Sequence, residues 1–199
     1  MTGSLEYRKN EAAILRGEVP VKYTRIVPHV PGFSVIELGS AEGVLALMLA
    51  RAGKRVHAIE ASAERHDAAI ELARTWGDLQ LLPTGTHVTF INDRAEAAVA
   101  AMLPGEFDTL VAVRMIYYLR EHIDEVFSVI AGKVRNVVLC GNRNRAAQWR
   151  QGIPDKPGGP LNYYASHEGM ARLLERHGYF VSTEITDDGD PLVVGCRGG

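Results

Sequence analysis

Short apolar runs alternate with longer amphipathic runs along the chain. Each short run is rich in aliphatic and β-branched residues, which is typical of a strand buried on both faces. The longer runs carry apolar residues at helical spacing. Strands that alternate with helices in this way predict a parallel sheet with helices packed on both faces. Strands are predicted at 33–38, 55–59, 87–91, 107–113 and 134–140, and helices at 42–52, 63–76, 95–102 and 120–131.

The pattern changes after the fifth predicted strand. Residues 141–165 contain several Gly, Pro and Asn residues, so they are predicted to form one long loop, which in a compact domain is usually functional or disordered. Ser166 is then predicted to cap a helix that ends at Arg176. Two further strands, over 179–186 and 191–196, flank an Asp-Asp-Gly-Asp sequence and predict a β-hairpin.

The N-terminal segment differs from the rest of the chain. A helix is predicted over 5–15, and three prolines interrupt the residues that follow it. The polar first residues do not resemble a secretory signal peptide. We therefore expect residues 1–30 to form a cap of helix and loop, and residues 31–199 to form a single α/β domain.

Composition and charge exclude several classes of protein. The chain has 199 residues, of which 46% are hydrophobic and 23% charged, as is usual for a globular protein with one core. A net charge of −2 gives no general attraction to nucleic acid or to an anionic membrane. No segment approaches the roughly 20 apolar residues that span a membrane, and two distant cysteines form no disulfide framework. We expect a cytoplasmic protein with a small-molecule partner, and the oligomeric state stays open.

A glycine-containing turn follows the first predicted strand and reads Glu37-Leu-Gly39-Ser40-Ala41-Glu-Gly43. At Gly39 a ligand can approach the backbone, and Gly43 permits close packing of helix on strand. A turn that binds a dinucleotide would read Gly-x-Gly-x-x-Gly and hold a pyrophosphate. The Glu37 carboxylate would repel a pyrophosphate but suits a ligand with an ammonium group, which disfavours a nicotinamide-dependent reductase.

Two more acids follow the next two predicted strands. Glu60 ends the second strand, where a carboxylate can accept hydrogen bonds from both hydroxyls of a ribose. Nicotinamide-dependent enzymes use the same device, so Glu60 indicates an adenosine ligand without choosing the cofactor. Asp93 follows the third strand within Asn92-Asp-Arg94, and its structural alternative is to cap the helix that begins at Ala95.

With these features in order at successive strand ends, residues 33–196 resemble the class I S-adenosylmethionine (SAM)-dependent methyltransferases. Their first motif is an acid-x-Gly-x-Gly-x-Gly pattern, from which this chain departs at Ala41. The resemblance implies an α/β, three-layer α-β-α sandwich with a mostly parallel seven-stranded sheet, whose last strand is inserted antiparallel beside the fifth. It also implies SAM as cofactor and S-adenosylhomocysteine (SAH) as product.

The resemblance also assigns cofactor-binding residues. In the family, an acid after the third strand accepts a hydrogen bond from the adenine amino group, and the next backbone N–H reaches a ring nitrogen; Asp93 and Arg94 occupy those places. The segment that begins at Arg114, after the fourth strand, faces both methionine and acceptor in the family. The complete predicted set is Glu37, Gly39, Ser40, Ala41, Gly43, Glu60, Ala61, Asp93, Arg94 and Arg114.

The acceptor side offers weaker candidates. Tyr117, Tyr118 and His122 are candidates for orienting or deprotonating the acceptor, with a core or solvated position as the structural alternative for each. Arginines bind carboxylate or phosphate, and aromatic rings stack on sugars or other rings. The predicted acceptor-binding residues are Tyr23, Arg143, Arg145 and Tyr163.

Several reaction classes of the family lack their signatures here. No Asn-Pro-Pro-Tyr sequence follows the fourth strand, and no Pro-Cys pair offers a nucleophile. Arg114 and Gly141-Asn142 stand where catechol-type members carry acidic metal ligands, so we expect no metal. The prediction is metal-independent O- or N-methyl transfer to a small polar or anionic acceptor, sugar-containing acceptors included. An RNA methyltransferase and a non-catalytic nucleoside- or partner-binding module with the same fold remain as alternatives.

Overall fold

The structure is a computed structural model that describes residues 12–185 and 189–198. Of the helix predicted over 5–15, residues 12–15 are helical and the remainder lies outside the described residues. The turn of the C-terminal hairpin is described only at its last two positions, Gly189 and Asp190.

Regular elements occupy nearly all the predicted positions. The strands are β1 (Ser34–Leu38), β2 (Arg55–Ile59), β3 (His87–Ile91), β4 (Thr109–Val113), β5 (Asn136–Cys140), β6 (Phe180–Ile185) and β7 (Pro191–Cys196). The α-helices are α1 (Val21–Ile26), α2 (Val44–Arg51), α3 (Ala63–Asp78), α4 (Ala95–Ala101), α5 (Ile123–Ala131), α6 (Arg143–Arg150) and α7 (His167–Arg176). Short 3-10 turns include Val27–His29, Ile116–Tyr118, Arg120–His122 and Asn162–Ala165.

The strands form one seven-stranded sheet in the order β3-β2-β1-β4-β5-β7-β6. Strands β1 to β5 are parallel, and β7 pairs antiparallel with both β5 and β6. The predicted sheet, with its last strand inserted beside the fifth, is therefore confirmed. Because the carboxyl ends of the five parallel strands meet at one edge, the residues that follow them are brought together there.

Helices cover both faces of the sheet and complete the three layers. One apolar cluster joins the sheet to α4, α5 and α7. Two others join it to α1, α2 and α3 on the opposite face. Trp76 of α3 is fully buried and donates a hydrogen bond from Nε1 to the backbone oxygen of Ile14 at 2.8 Å, which fixes residues 12–15 against this face.

Gly43 is required by packing at the start of α2. Its φ is +76°, in the left-handed region that favours glycine. A Cβ at this position would lie 2.7 Å from the Phe90 ring of β3 and 2.9 Å from Cβ of Ala69 in α3. The close approach of helix to sheet that the sequence predicts at Gly43 is thus present.

The prediction of one long loop over 141–165 is wrong, because the segment contains α6 and the turn Asn162–Ala165. The Asn142 side chain caps α6 by accepting hydrogen bonds from the backbone N–H groups of Asn144 and Arg145, at 3.0 and 3.2 Å. Only Ala146 of this helix is buried. A helix that is polar nearly all round has no apolar periodicity, so the pattern of the sequence does not reveal it.

Candidate functional site

A cavity of about 680 Å³ opens at the edge of the sheet where the parallel strands end. Its volume is typical of a pocket for a small molecule or cofactor. Residues at or after the ends of five neighbouring strands line it, in the order Asp93, Glu60, Glu37, Arg114 and Asn142. The cavity therefore lies where open α/β sheets place their ligands.

The turn after β1 and the end of β2 are joined through the carboxylate of Glu60. Its Oε2 accepts a hydrogen bond from the backbone N–H of Ala41 at 2.8 Å, and its Oε1 accepts one from Ser62 at 2.9 Å. Ala41 has a φ of +49°, which is uncommon for a residue with a side chain. This hydrogen bond offsets the strain where the related pattern has glycine, and it fixes the orientation of the Glu60 carboxylate.

Glu37 is a buried acid in the wall of this cavity. The residue is 3% exposed, and its Oε2 has no hydrogen-bond partner. The pKa of its carboxyl is raised from 4.5 to about 8, chiefly by burial and also by the nearby Glu60, while a hydrogen bond from the backbone N–H of Ala46 acts in the opposite direction. The buried hydroxyl of Ser40, three residues later, also lacks a partner. A buried polar atom without a hydrogen-bond partner destabilises the fold. The Glu37 carboxyl and the Ser40 hydroxyl therefore suit a ligand that supplies the missing hydrogen bonds.

Two predicted cofactor-binding residues lie at the β2 and β3 end of the cavity. Ala61 and Asp93 line it. Asp93 does not cap α4 with its side chain; its Oδ1 accepts a hydrogen bond from the backbone N–H of Arg94 at 2.7 Å, and Arg94 occupies the cap position. Arg94 is not among the described residues lining the cavity, and its side chain lies 3.8 Å from that of Glu96.

The tyrosines after β4 form a supported aromatic wall. Tyr117 and Tyr118 both line the cavity, and Tyr117 is 2% exposed. The Arg145 guanidinium lies 5.1 Å from the ring centroid of Tyr117 and 5.6 Å from that of Tyr118. The backbone oxygen of Tyr117 accepts a hydrogen bond from Leu161 at 2.9 Å. Burial raises the pKa of Tyr117, so its hydroxyl is protonated at neutral pH and suits a role as a hydrogen-bond donor.

Of the other predicted acceptor-side residues, only Tyr23 is among the described residues that line the cavity. Tyr23 lines the cavity, whereas Arg145 supports it from behind and donates a hydrogen bond to Oδ1 of Asn162 at 3.0 Å. The Tyr163 ring packs against Trp149, with centroids 5.1 Å apart. The remaining two, Arg143 and His122, are likewise absent from the described lining of the cavity.

Sequence reasoning missed some residues that shape the site. Glu42 is 4% exposed and lines the cavity, whereas the sequence pattern places it only at the start of a predicted helix. Asp190 is fully buried and accepts a hydrogen bond from Nε of Arg114 at 2.6 Å. Asp190 lies in the predicted turn of the hairpin, 76 positions from its partner, so no local pattern indicates this contact.

Two negative findings concern metal binding and membrane insertion in the described residues. Within 12–185 and 189–198, no group of three or more His, Cys, Asp or Glu residues is arranged to hold a metal ion. None of the helices in that part of the chain combines the length and apolar character needed to cross a membrane.

Comparisons with known proteins give a result only at the level of structure. No family model matches the sequence, and no curated protein matches it. Magnesium protoporphyrin IX methyltransferase (ChlM) from Synechocystis PCC 6803, crystallised with bound SAM, superposes with a TM-score of 0.65 at 17% identity. That superposition covers 100% of this chain and 87% of the other.

Two further solved structures give similar superpositions. The N-terminal domain of EvdMO1, crystallised in the presence of SAH and D-fucose, has a TM-score of 0.63 at 19% identity over 91% of this chain and 84% of its own. The bifunctional kinase-methyltransferase WbdD has a TM-score of 0.61 at 19% identity over 98% of this chain and 42% of its own. The fold is thus that of the class I methyltransferases, as the resemblance in the sequence predicts.

Proposed function

We propose that this protein is a SAM-dependent methyltransferase that binds its cofactor in the strand-end cavity and methylates a small polar or anionic acceptor. One observation carries the proposal: the buried Glu37 carboxyl lines the cavity with an unpartnered Oε2 beside a second buried acid, Glu60. A ligand with both an ammonium group and a ribose satisfies these two acids together. A pyrophosphate ligand satisfies neither.

The assignment of the other cofactor-binding residues follows strand order. Glu37 would accept from the ammonium of the methionine part, Glu60 from the ribose hydroxyls, and Asp93 from the adenine amino group, at the ends of β1, β2 and β3. Gly39, Ser40, Ala41 and Ala61 would form the surface against which the ligand lies. Gly43, which is not among the described residues that line the cavity, would act by letting α2 pack closely. Arg94 would offer the adenine ring its backbone N–H, which donates to Oδ1 of Asp93 in this structure.

When bound, SAM supplies an activated methyl group and a neutral leaving group, so the protein has chiefly to align the acceptor. Tyr23 and the aromatic wall of Tyr117 and Tyr118 line the cavity and would serve that purpose. Tyr117, whose hydroxyl keeps its proton at neutral pH, would donate a hydrogen bond to orient the acceptor. We propose metal-independent O- or N-methyl transfer in a cytoplasmic protein, with the cap formed by residues 1–30 contributing Tyr23 to the acceptor site.

Small-molecule acceptors are favoured over RNA for this site. Of two structural neighbours, one is named for a porphyrin and the other was crystallised in the presence of a sugar, D-fucose. The net charge of −2 also gives no general attraction to a phosphate backbone.

Calorimetric titration with SAH and with 5′-methylthioadenosine tests the proposal, because the second ligand lacks the amino acid part. We expect Glu37→Gln to weaken SAH binding about 10- to 100-fold and to leave 5′-methylthioadenosine binding unchanged, since a charge-assisted contact is lost. Glu60→Gln should lower the affinity for both ligands, because both contain the ribose. Glu71→Gln, an exposed acid on α3, serves as the control. Failure of the parent to bind SAH would reject the function.

The same titration has a pH dependence that depends on Glu37. Its carboxyl, with a pKa of about 8, must lose its proton when an ammonium group binds beside it. The SAH affinity of the parent should therefore rise with pH, by up to about tenfold per unit below about pH 8, with release of a proton. Glu37→Gln should abolish the rise. Equal pH profiles for parent and variant would place the ammonium elsewhere.

A further inference from the structure

Arg114 has an unusual backbone conformation at the edge of the cavity. It follows directly after β4, and its φ is +55° although it is not glycine. Its backbone N–H donates to the carbonyl oxygen of Cys140 in β5 at 2.7 Å. Strained residues of this kind persist where the surroundings hold them and concentrate at functional sites.

A buried carboxylate holds the side chain of Arg114. Asp190 is fully buried, and its Oδ2 accepts a hydrogen bond from Nε of the guanidinium and forms an ion pair with Nη2. The other oxygen, Oδ1, accepts a hydrogen bond from the backbone N–H of Arg143 at the start of α6, at 3.0 Å. The guanidinium is planar and rigid, so this contact fixes its direction. Its side chain stays 31% exposed and lines the cavity.

The charges along the cavity change sign in strand order. Asp93, Glu60 and Glu37 stand at β3, β2 and β1, whereas Arg114 follows β4 and Asn142 follows β5. Arg114 lies one strand beyond Glu37, the acid assigned to the ammonium group, because β4 is the neighbour of β1. Neighbouring strands are about 4.8 Å apart. Under the proposed function, on which this inference rests, the nucleoside occupies the acidic end. The end at β4 and β5 is then left for the acceptor.

We propose that Arg114, positioned by Asp190, binds an anionic group of the acceptor and thereby selects acceptors that carry a carboxylate or a phosphate. The planar guanidinium suits both anions, because it can donate two parallel hydrogen bonds. Asp190 is a positioning residue, since it touches Arg114 and is fully buried. The selected anion would stand beside the aromatic wall of Tyr117 and Tyr118.

This assignment departs from the sequence prediction, which places Arg114 among the cofactor-binding residues. The carboxylate of the cofactor is the other anion that Arg114 could bind in this cavity, and a pair of ligands separates the two sources. SAH has this carboxylate and 5′-methylthioadenosine does not. Arg114→Gln should leave the affinity for SAH within about threefold of the parent. A loss of about tenfold or more for SAH alone, with 5′-methylthioadenosine unaffected, would assign Arg114 to the cofactor and overturn the proposal.

Inorganic phosphate is the probe for the acceptor anion. It is titrated into SAH-saturated protein at constant ionic strength, with the thermal midpoint and the NMR signals of the bound state as readouts. Arg114→Gln should weaken phosphate binding about tenfold, and Arg114→Lys should do so to a smaller extent, because lysine keeps the charge without the planar fork. Arg176→Gln is the matched control, since Arg176 pairs with Asp124 on the surface, and neither is in the described cavity lining.

Asp190→Asn tests the positioning role. This variant should retain SAH affinity and lose phosphate affinity, a split that general destabilisation does not produce. If it fails to fold, Arg114→Lys decides the matter, because parent-like phosphate affinity in that variant would remove the need for a directed fork. Phosphate binding of equal strength in the parent and Arg114→Gln would overturn the proposal. If the parent protein does not bind SAH at all, the proposed function is rejected instead.

Discussion

The two ends of the strand-end cavity are built differently. At the β1 to β3 end, functional side chains follow directly from strand ends, and the buried Glu37 Oε2 and Ser40 Oγ have no partners. At the β4 and β5 end, side chains are held by distant parts of the chain: Arg114 by Asp190, and Tyr117 and Tyr118 by Arg145. The first end requires a ligand to complete its hydrogen bonds, whereas the second is braced by contacts within the protein.

Under the proposed function, the first end binds the cofactor and the second end aligns the acceptor, and the two tasks make different demands on the side chains. A cofactor is the same molecule in every turnover, so the groups that meet it can remain unpaired and costly until it binds. An acceptor must be aligned to within a fraction of an ångström, which requires side chains fixed before it arrives. The comparison thus predicts that changes at the first end alter ligand binding and pH dependence, and that changes at the second alter rigidity.

The largest expected effect is on the pH dependence of stability at the first end. The folded-state pKa of Glu37, about 8, lies above its ordinary 4.5. Between these values the folded protein binds more protons than the unfolded chain, so stability falls as pH rises. Glu37→Gln should therefore stabilise the ligand-free protein relative to the parent by up to about 5 kcal/mol above pH 8 and little near pH 4.5.

Urea unfolding at several pH values without ligand measures this difference. Glu71→Gln, at an exposed position on α3, should follow the parent at every pH. A Glu37→Gln variant that is less stable than the parent at high pH would mean that an interaction within the protein already satisfies the carboxylate. The contrast between the two ends would then disappear.

A smaller effect is expected for the glycines that flank α2. Gly43→Ala should lower the free energy of unfolding by about 3 kcal/mol, because a Cβ is strained at its φ of +76° and meets the Phe90 ring. Gly53→Ala shares the positive φ, at +85°, but its Cβ would meet nothing within 4 Å. That variant should cost about 1 kcal/mol. Thermal or urea unfolding measures both values. Equal losses of unfolding free energy in the two variants would show that backbone strain alone causes the destabilisation, with no contribution from packing of the turn against β3.

The same contrast explains how far sequence analysis reaches. Glu37, Glu60 and Asp93 were found because each lies at or just beyond the carboxyl end of a strand whose apolar run is evident, and parallel strands bring such residues to one edge. Their assignment to particular parts of the cofactor is still a prediction. Ala41 in the left-handed region could not be inferred, since its support comes from the Glu60 carboxylate 19 positions away.

The β4 and β5 end was predicted less well because its contacts are distant in sequence. Helix α6 carries almost no apolar stripe, so the segment was assigned to a loop. Arg145 is predicted to contact the acceptor, and in the structure it lies against two tyrosine rings and donates a hydrogen bond to Asn162. An arginine beside an acceptor and an arginine behind a tyrosine wall have the same sequence signature.

The smallest expected effect tests the bracing role of Arg145. Arg145→Ala should lower the free energy of unfolding by about 1 kcal/mol, because it removes a hydrogen bond to Asn162 and the contact with both rings. Arg150→Ala, on the same helix, loses only an exposed pair with Glu168 and should cost no more than about 0.5 kcal/mol. Urea unfolding measures both values, and SAH titration should show no change in either variant. A loss of SAH affinity in Arg145→Ala alone would mean that the two ends of the cavity are coupled through the tyrosine wall, and that bracing extends to the cofactor.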